Sequence, residues 1–225
     1  MNNKIKASRY FDAFSFCQRV YFIDFNIFLF TIIIMRILGI DPGYAIVGYG
    51  VIEKDARGKC QVVDYGAINT PKEEDFPVRL AMIAEGIKSL IKTFKPDAIA
   101  VEELFFNQNI TTGIAVAEAR GVILCTAIQE MSKVYEFTPM QIKLAVTGDG
   151  KADKHAVQFM TKMTLGLKSI PKPDDAADAL AVALCLAQTN TKLTNDEVQI
   201  FTNNNLKKND LNEILKARKS KWYIH

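Results

Sequence analysis

The stretch Ala98–Glu102 constrains the fold of this chain more than any other. It reads Ala-Ile-Ala-Val-Glu and is apolar up to its last residue. Such a run is typical of a strand that is buried on both faces, in a central and parallel position of a sheet. Helices must then cover both sides of the sheet, and the spacing of apolar residues predicts helices over 75–94 and 111–131. The chain of 225 residues is therefore expected to form an α/β domain with a substantial core.

A second strand is predicted over 36–41, and like the first it ends on a carboxylate, Asp41. The Pro-Gly pair that follows fits a type II turn, which requires a positive φ at Gly43. The next strand has a period of two that places Gly48 and Gly50 on one face, where another element or a ligand can approach closely. Asp41 could simply begin the turn, or it could approach a metal or a phosphate.

The remaining strands give the sheet its order. A third strand, over 59–70, follows the first two with short connections and completes an antiparallel meander. A last strand, Val134–Phe137, comes after the long helix. We therefore predict a five-stranded mixed sheet, with three antiparallel strands followed by two parallel strands, flanked by helices.

A late helix carries two further carboxylates. It follows the break Pro171-Lys172-Pro173, and Asp174 is expected to be its N-cap. Asp175 and Asp178 are three residues apart and so share a face of the helix. The helix dipole accounts for an acidic residue at Asp175. It accounts less well for Asp178, which sits among Ala and Leu, where an unpaired charge is costly.

Four carboxylates can therefore meet at one end of the sheet. Asp41 and Glu102 end strands, and Asp175 and Asp178 lie on the first turns of a helix that could cover those ends. Clustered carboxylates repel each other unless cations lie between them. Hard oxygen ligands of this kind suit Mg²⁺ or Mn²⁺, and two such ions can activate water and stabilise the leaving oxygen in phosphodiester cleavage.

Charge and cysteine content narrow the class of protein. The formal net charge is +3, yet the basic excess lies at the two ends and the central part is slightly acidic. The central part therefore gives no strong nucleic-acid signal through bulk charge, but fits a site whose charge is offset by divalent cations. The four cysteines form no Cys-x-x-Cys pair, and the two histidines are too few for a histidine-built zinc site. Reduced thiols and a cytoplasmic location are expected.

The two ends of the chain differ from its centre. Residues 1–34 are rich in Phe, Ile and Asn and end in an apolar run that is too short to span a bilayer comfortably. Since Met35 directly precedes the first predicted strand, we interpret 1–34 as an upstream extension and Met35 as the natural start. A membrane-directed segment is the alternative. The domain is expected over 35–189, and the Asn- and Lys-rich residues 190–225 are expected to form a flexible basic tail.

Four segments carry a combined pattern that is far more specific than any one of them. They are Ile-Leu-Gly-Ile-Asp41-Pro-Gly with Gly48-Tyr-Gly-Val, Ala-Val-Glu102-Glu-Leu-Phe105, Ala-Arg120-Gly, and Asp175-Ala-Ala-Asp178-Ala-Leu-Ala. In order and spacing they resemble the RuvC family of bacterial Holliday junction resolvases, in the RNase H-like superfamily. The resemblance extends from Met35 to about Gln188.

The resemblance implies an RNase H-like fold and a crossover junction endodeoxyribonuclease. It implies a homodimer that binds a four-way DNA junction and nicks two opposed strands of like polarity. Asp41, Glu102, Asp175 and Asp178 match the catalytic acids of the family, which would bind Mg²⁺, or Mn²⁺, as two ions per subunit. A branch-migration helicase complex is implied as a partner.

The resemblance also implies the DNA contacts. Phe105 matches an aromatic residue that stacks on a junction base, and Phe106 duplicates it. Lys143 and Lys154 match basic residues near the DNA backbone, where they could steady the scissile phosphate. Lys151, in the loop predicted before the helix that carries Lys154, is a further candidate.

Small residues follow one another along the helix predicted over 111–131. They include Gly113, Ala117 and Gly121. Periodicity alone leaves two explanations open, close packing within one subunit or an interface between subunits. The resemblance to the family implies the second, a dimer helix.

Two other functions are weighed against the nuclease. Actin-like and sugar-kinase-like ATP-binding proteins also begin with a strand, an Asp-x-Gly turn and a strand. They need a second phosphate loop and a second domain, and the late Asp-x-x-Asp helix argues against them. A non-catalytic junction-binding module is the other alternative, although all four acids are present.

Overall fold

The computed structural model describes residues 35–104, 110–131 and 133–189. Five strands form one sheet with the spatial order β3-β2-β1-β4-β5. In chain order they are β1 (Met35–Asp41), β2 (Ile46–Lys54), β3 (Cys60–Asn69), β4 (Ala98–Glu102) and β5 (Val134–Phe137). The first three strands pair antiparallel, and β4 pairs parallel with both β1 and β5. The predicted mixed sheet is thus confirmed.

Helices cover both faces of this sheet. Within the described residues they are α1 (Phe76–Phe94), α2 (Ile110–Glu130), α3 (Pro139–Thr147), α4 (Lys154–Leu165) and α5 (Asp174–Gln188). Alternation along β1 sends Leu38 and Ile40 into a core with α1 and α2, and sends Ile37 into a second core with α3, α4 and α5. In this part of the chain no helix is long and apolar enough to cross a membrane.

Helix α5 lies directly on the backbone of β1 and β2. A Cβ atom added to Gly39 would lie 2.2 Å from the carbonyl oxygen of Ala179, and one added to Gly48 would lie 2.1 Å from that of Asp175. At Gly50 it would meet the side chain of Leu180 at 2.7 Å. These distances are too short for any side chain, so the glycines are what allow the approach. The predicted open face of Gly48 and Gly50 is therefore confirmed.

Side-chain caps begin helices α3 and α4. Thr138 and Gln141 form a reciprocal capping box at the start of α3. The carboxylate of Asp153 accepts a hydrogen bond from the backbone N–H of Ala156 at 2.7 Å and caps α4. Asp75 does occupy the N-cap position of α1, but its side chain makes no capping hydrogen bond.

Two local predictions are wrong. Gly43 does not have a positive φ. Its lack of a side chain instead allows the carbonyl oxygen of Ile46 to approach, since an added Cβ would lie 2.0 Å from that oxygen.

Asp174 is not the N-cap of α5. Pro173 holds that position and its carbonyl accepts from the N–H of Ala176 at 3.0 Å, so Asp174 becomes the first helical residue. There its carboxylate accepts from Nζ of Lys172 at 2.6 Å.

Candidate active site

The two strand-end carboxylates lie side by side on one face of the sheet. Asp41 ends β1 and Glu102 ends β4, and these strands are parallel neighbours in which Ile40 pairs with Val101. Because side chains alternate along a strand, both carboxylates share the face that carries Ile37 and α5. The neighbouring strands β1 and β4 therefore each place one carboxylate at the same edge of the sheet.

Helix α5 brings the other two acids to this edge. Gly48 is paired with Asp41 in the sheet, and the backbone of Asp175 lies against it. The start of α5 is therefore held over the end of β1. Asp178, one turn later, lines a cleft of about 240 Å³ together with Asp41 and Glu102. Asp175 does not line this cleft, but its charge acts on Asp41.

Three carboxylates and two ammonium groups share this cleft with an apolar wall. The lining residues are Asp41, Glu102, Pro139, Ile142, Lys143, Lys154, Val157, Asp178 and Ala181. They come from β1, β4, α3, α4 and α5. Every layer on this side of the sheet therefore contributes to the site, which depends on the tertiary fold as a whole.

Burial and mutual repulsion disfavour ionisation of the strand-end acids. Burial raises the pKa of Asp41 well above its usual range, and the charges of Glu102, Asp178 and Asp175 raise it further. Burial, followed by the charge of Asp178, raises the pKa of Glu102 to about 7. Lys154 opposes both shifts without cancelling them. Ionisation of all three lining carboxylates would give the cleft more negative charge than its two lysines neutralise.

Lys154 is bound to one of the acids. Its Nζ lies 2.7 Å from Oδ2 of Asp178, and Nε2 of Gln158 donates to Oδ1 of the same carboxylate at 3.4 Å. This pair explains a lysine in the first turn of a helix, where the dipole disfavours a cation. The same ion pair gives the carboxylate of Asp178 a partner, so the free-energy cost of an unpaired charge at this position does not arise. Gln158 was not predicted, although it lies one turn after Lys154 on the same face of α4.

The donor chemistry of the cleft fits a hard divalent cation. All the anionic donors are carboxylate oxygens, and the raised pKa values of Asp41 and Glu102 indicate that a further positive charge would be favourable there. In the described part of the chain, no three His, Cys, Asp or Glu side chains converge closely enough to hold an ion in their present positions.

The raised pKa of Glu102 predicts a pH dependence of stability in EDTA. Its folded-state value of about 7 exceeds the ordinary value near 4.3. The folded protein therefore binds the extra proton, and stability falls as pH rises between about 4 and 7. Glu102→Gln should remove much of this fall, on the order of 3 kcal/mol. Thermal unfolding of both proteins from pH 4.5 to 8 checks this, and parallel curves would contradict it.

The three lysines that are predicted to contact DNA differ in their position relative to the cleft. Lys143 and Lys154 line the cleft. Lys151 is exposed and does not line it, and its backbone N–H donates to the carboxylate of Asp149 at 2.8 Å. Phe105 and Phe106 lie outside the described residues, as do 1–34 and 190–225.

Not all the small residues of α2 pack in the hydrophobic core. The core face of α2 is formed by Ala119, Ile123 and Ala127. Gly121 is exposed, and among the described residues a Cβ added to it would meet nothing within 4 Å. Ala117 is half-buried. Packing within the described part of the chain therefore gives no reason for a glycine at position 121.

The fold and this carboxylate-lined cleft define a nuclease of the RNase H-like class. The family model described as crossover junction endodeoxyribonuclease RuvC matches residues 37–186, a range that contains all four acids. The chain belongs to the RuvC family. Membership of this nuclease family implies use of a divalent metal ion, and it decides against the ATP-binding alternative.

Relatives and solved structures agree with this assignment. The chain is 48% identical over 166 residues to crossover junction endodeoxyribonuclease RuvC of Caldicellulosiruptor saccharolyticus, covering 73% of this chain and all of the relative. It is 53% identical to that of Brevibacillus brevis, covering 68% and 92%. Thermus thermophilus RuvC in complex with a Holliday junction substrate superposes with a TM-score of 0.63 at 36% identity, covering 67% and 92%. The yeast mitochondrial resolvase Ydc2, at 16% identity and a TM-score of 0.52, shares the fold.

Proposed function

We propose that this chain resolves four-way DNA junctions in recombination and repair by metal-dependent hydrolysis of phosphodiester bonds. Asp41, Glu102, Asp175 and Asp178 are the proposed metal-binding catalytic acids. The observation that carries this proposal is the pair Asp41 and Glu102, which end adjacent parallel strands, are both half-buried, and line one cleft with Asp178. Such a cluster of partly buried acids is costly unless a cation offsets its charge.

We propose two Mg²⁺ ions as the cofactor, with Mn²⁺ as a possible substitute. When bound, such ions activate water and stabilise the leaving oxygen. The chain itself supplies the oxygen ligands, and Ile142 and Val157 form an apolar part of the cleft wall. Lys143 and Lys154 line the cleft. Their ammonium groups can contact the phosphate backbone of DNA and stabilise the charge at the scissile phosphate.

Phe105 and Phe106 are proposed to contact an unpaired junction base by stacking. Phe105 follows Glu102 by three residues in the sequence. An aromatic side chain can stack on an unpaired base without regard to its sequence. Lys151, exposed at the start of the turn before α4, is proposed to contact the backbone farther from the cleft.

The proposed assembly is a homodimer that joins through α2, so that two clefts act on one junction. The exposed position of Gly121 supports this, because none of the residues that the structure describes requires a glycine there. A branch-migration helicase complex is a further proposed partner, on the family resemblance alone. A DNA substrate is in keeping with the expected cytoplasmic location.

Gly121→Arg is expected to give a folded monomer. Around position 121 the described residues leave open space for the new side chain, so the unfolding temperature of the monomer should not fall. In a dimer that joins through this face, a buried unpaired arginine would break the interface. Sedimentation velocity measures the change, with Ala81→Arg on an exposed position of α1 as the matched control. A dimeric Gly121→Arg protein would exclude this face as the interface.

A nicking assay tests the function. The full-length protein is incubated with a synthetic four-way junction and with a linear duplex of the same sequence, with Mg²⁺ or with EDTA. We expect paired nicks in opposed strands of the junction, only with Mg²⁺, and little cutting of the duplex. Junction binding without nicking under any metal condition would favour the non-catalytic module.

A further inference from the structure

Arg120 reaches the end of β4 from the side of the sheet opposite the cleft. It belongs to α2, whose neighbouring residues Ala119 and Ile123 pack in the core between α2 and the sheet. The Nε–H of Arg120 donates to the backbone carbonyl of Glu102 at 3.2 Å. A guanidinium thus contacts the main chain of the residue whose carboxylate enters the cleft.

A buried acid holds this guanidinium in place. Arg120 forms an ion pair with Glu136 of β5, whose side chain is only 4% exposed. Glu136 pairs with Val101 in the parallel ladder between β4 and β5. A planar guanidinium with several donors can bind a carboxylate and a carbonyl at once in a fixed geometry. Arg120 therefore ties β4 to β5 one residue before the ladder ends.

Two successive glutamates lie at the end of β4. Glu102 and Glu103 point to opposite sides of an extended chain, so a shift of the strand register by one residue would exchange them. The backbone N–H of Glu103 donates to the carbonyl of Phe137 at 2.8 Å, and the Glu103 carboxylate lies near enough to Arg120 to act on its charge. Arg120 thus holds the carbonyl of Glu102, and the side chain of Glu103 does not line the cleft.

We propose that Arg120 is a positioning residue, which fixes the end of β4 so that Glu102, and not Glu103, faces the cleft. Glu136 is the buried partner that orients it. This inference rests on the proposed function, because it assigns Arg120 to the geometry of a metal ligand. Partners that orient ligands typically contribute about 10- to 100-fold to metal affinity or activity.

Arg120→Lys separates positioning from simple structural support. Lysine keeps a positive charge beside Glu136 but lacks the planar fork that also reaches the Glu102 carbonyl. We expect cleavage of a four-way junction at limiting Mg²⁺ to fall about tenfold or more, and the Mg²⁺ concentration for half-maximal rate to rise by a similar factor. Junction binding in EDTA should stay at the level of the unmodified protein. Glu136→Gln, which loosens the same arginine, should move the Mg²⁺ midpoint in the same direction by less.

Arg36 provides a matched control. Its guanidinium also bridges a carboxylate and a carbonyl, those of Glu53 and Phe94, but near the opposite end of β1. Arg36→Lys should lower the unfolding temperature comparably and leave the Mg²⁺ midpoint unchanged. A Mg²⁺ midpoint unchanged in both Arg120→Lys and Glu136→Gln would overturn the proposal. If Arg120→Lys does not fold, Glu136→Gln decides alone, whereas failure of the unmodified protein to nick the junction would overturn the proposed function instead.

Discussion

Asp41→Asn should abolish junction cleavage and leave junction binding intact. Asp41 ends the central strand β1 and is the carboxylate on which Glu102, Asp178 and Asp175 all act. Asparagine keeps the shape but provides one neutral oxygen in place of a charged pair, which is a poor ligand for a hard cation. Loss of several kcal/mol of transition-state stabilisation corresponds to a rate lower by roughly a thousandfold. Single-turnover cleavage and a binding assay in EDTA measure the two effects separately.

The same substitution should stabilise the metal-free protein. Burial and three neighbouring acids raise the pKa of Asp41, so its ionised form weakens the fold and the loss grows as pH rises. Asparagine removes this repulsion, and the unfolding temperature in EDTA at pH 8 should increase. Added Mg²⁺ should then raise the unfolding temperature of the unmodified protein and have little effect on Asp41→Asn.

A control neutralises a carboxylate outside the cleft. Asp64 on β3 accepts a hydrogen bond from the hydroxyl of Tyr49 at 3.2 Å and does not line the cleft. Asp64→Asn should cleave normally and respond to Mg²⁺ like the unmodified protein. An Asp41→Asn protein that cleaves at the normal rate would remove Asp41 from the proposed set of ligands.

The sequence predicts the strand-end acids because they depend on local pattern. Apolar runs that stop at Asp41 and Glu102 define both the strands and the edge where the side chains lie. The period of two likewise predicts the open face at Gly48, although it cannot identify α5 as the element that occupies it. Each of these features is determined by the sequence within a few residues of the position concerned.

Two kinds of feature cannot be predicted from the sequence. In one, adjacent residues suit the same structural position, and in the other, the contact joins residues that are far apart in the chain. A proline and an aspartate in succession both suit a helix start, and only the structure shows that the carbonyl of Pro173 accepts the first hydrogen bond. The pair between Lys154 and Asp178 joins α4 to α5, and Arg120 joins Glu136 through packing of α2 on the sheet. No spacing rule relates such residues, because their contacts arise only when the layers pack.

Gly48→Ala is expected to disable the site through the position of α5. A methyl group at Gly48 would lie 2.1 Å from the carbonyl oxygen of Asp175 and 3.0 Å from its Cβ. The first of these atoms is backbone, so the start of the helix must move. Overpacking of this kind costs about 1–3 kcal/mol of stability. The displacement also carries Asp175 and Asp178 away from Asp41, and a shift of about 1 Å in a catalytic group can lower the rate by roughly 100-fold.

Gly86→Ala separates this effect from a general loss of stability. A methyl group there would lie 2.7 Å from Cδ1 of Ile68, the end of a flexible side chain, on the face of the sheet away from the cleft. Both variants are measured by thermal unfolding and by single-turnover cleavage at a temperature where each is fully folded. We expect Gly86→Ala to cleave like the unmodified protein and Gly48→Ala to lose activity beyond any loss of folded fraction. If a folded Gly48→Ala protein cleaves normally, the position of α5 relative to β1 does not control the reaction, and Asp175 and Asp178 lose their proposed role as metal ligands.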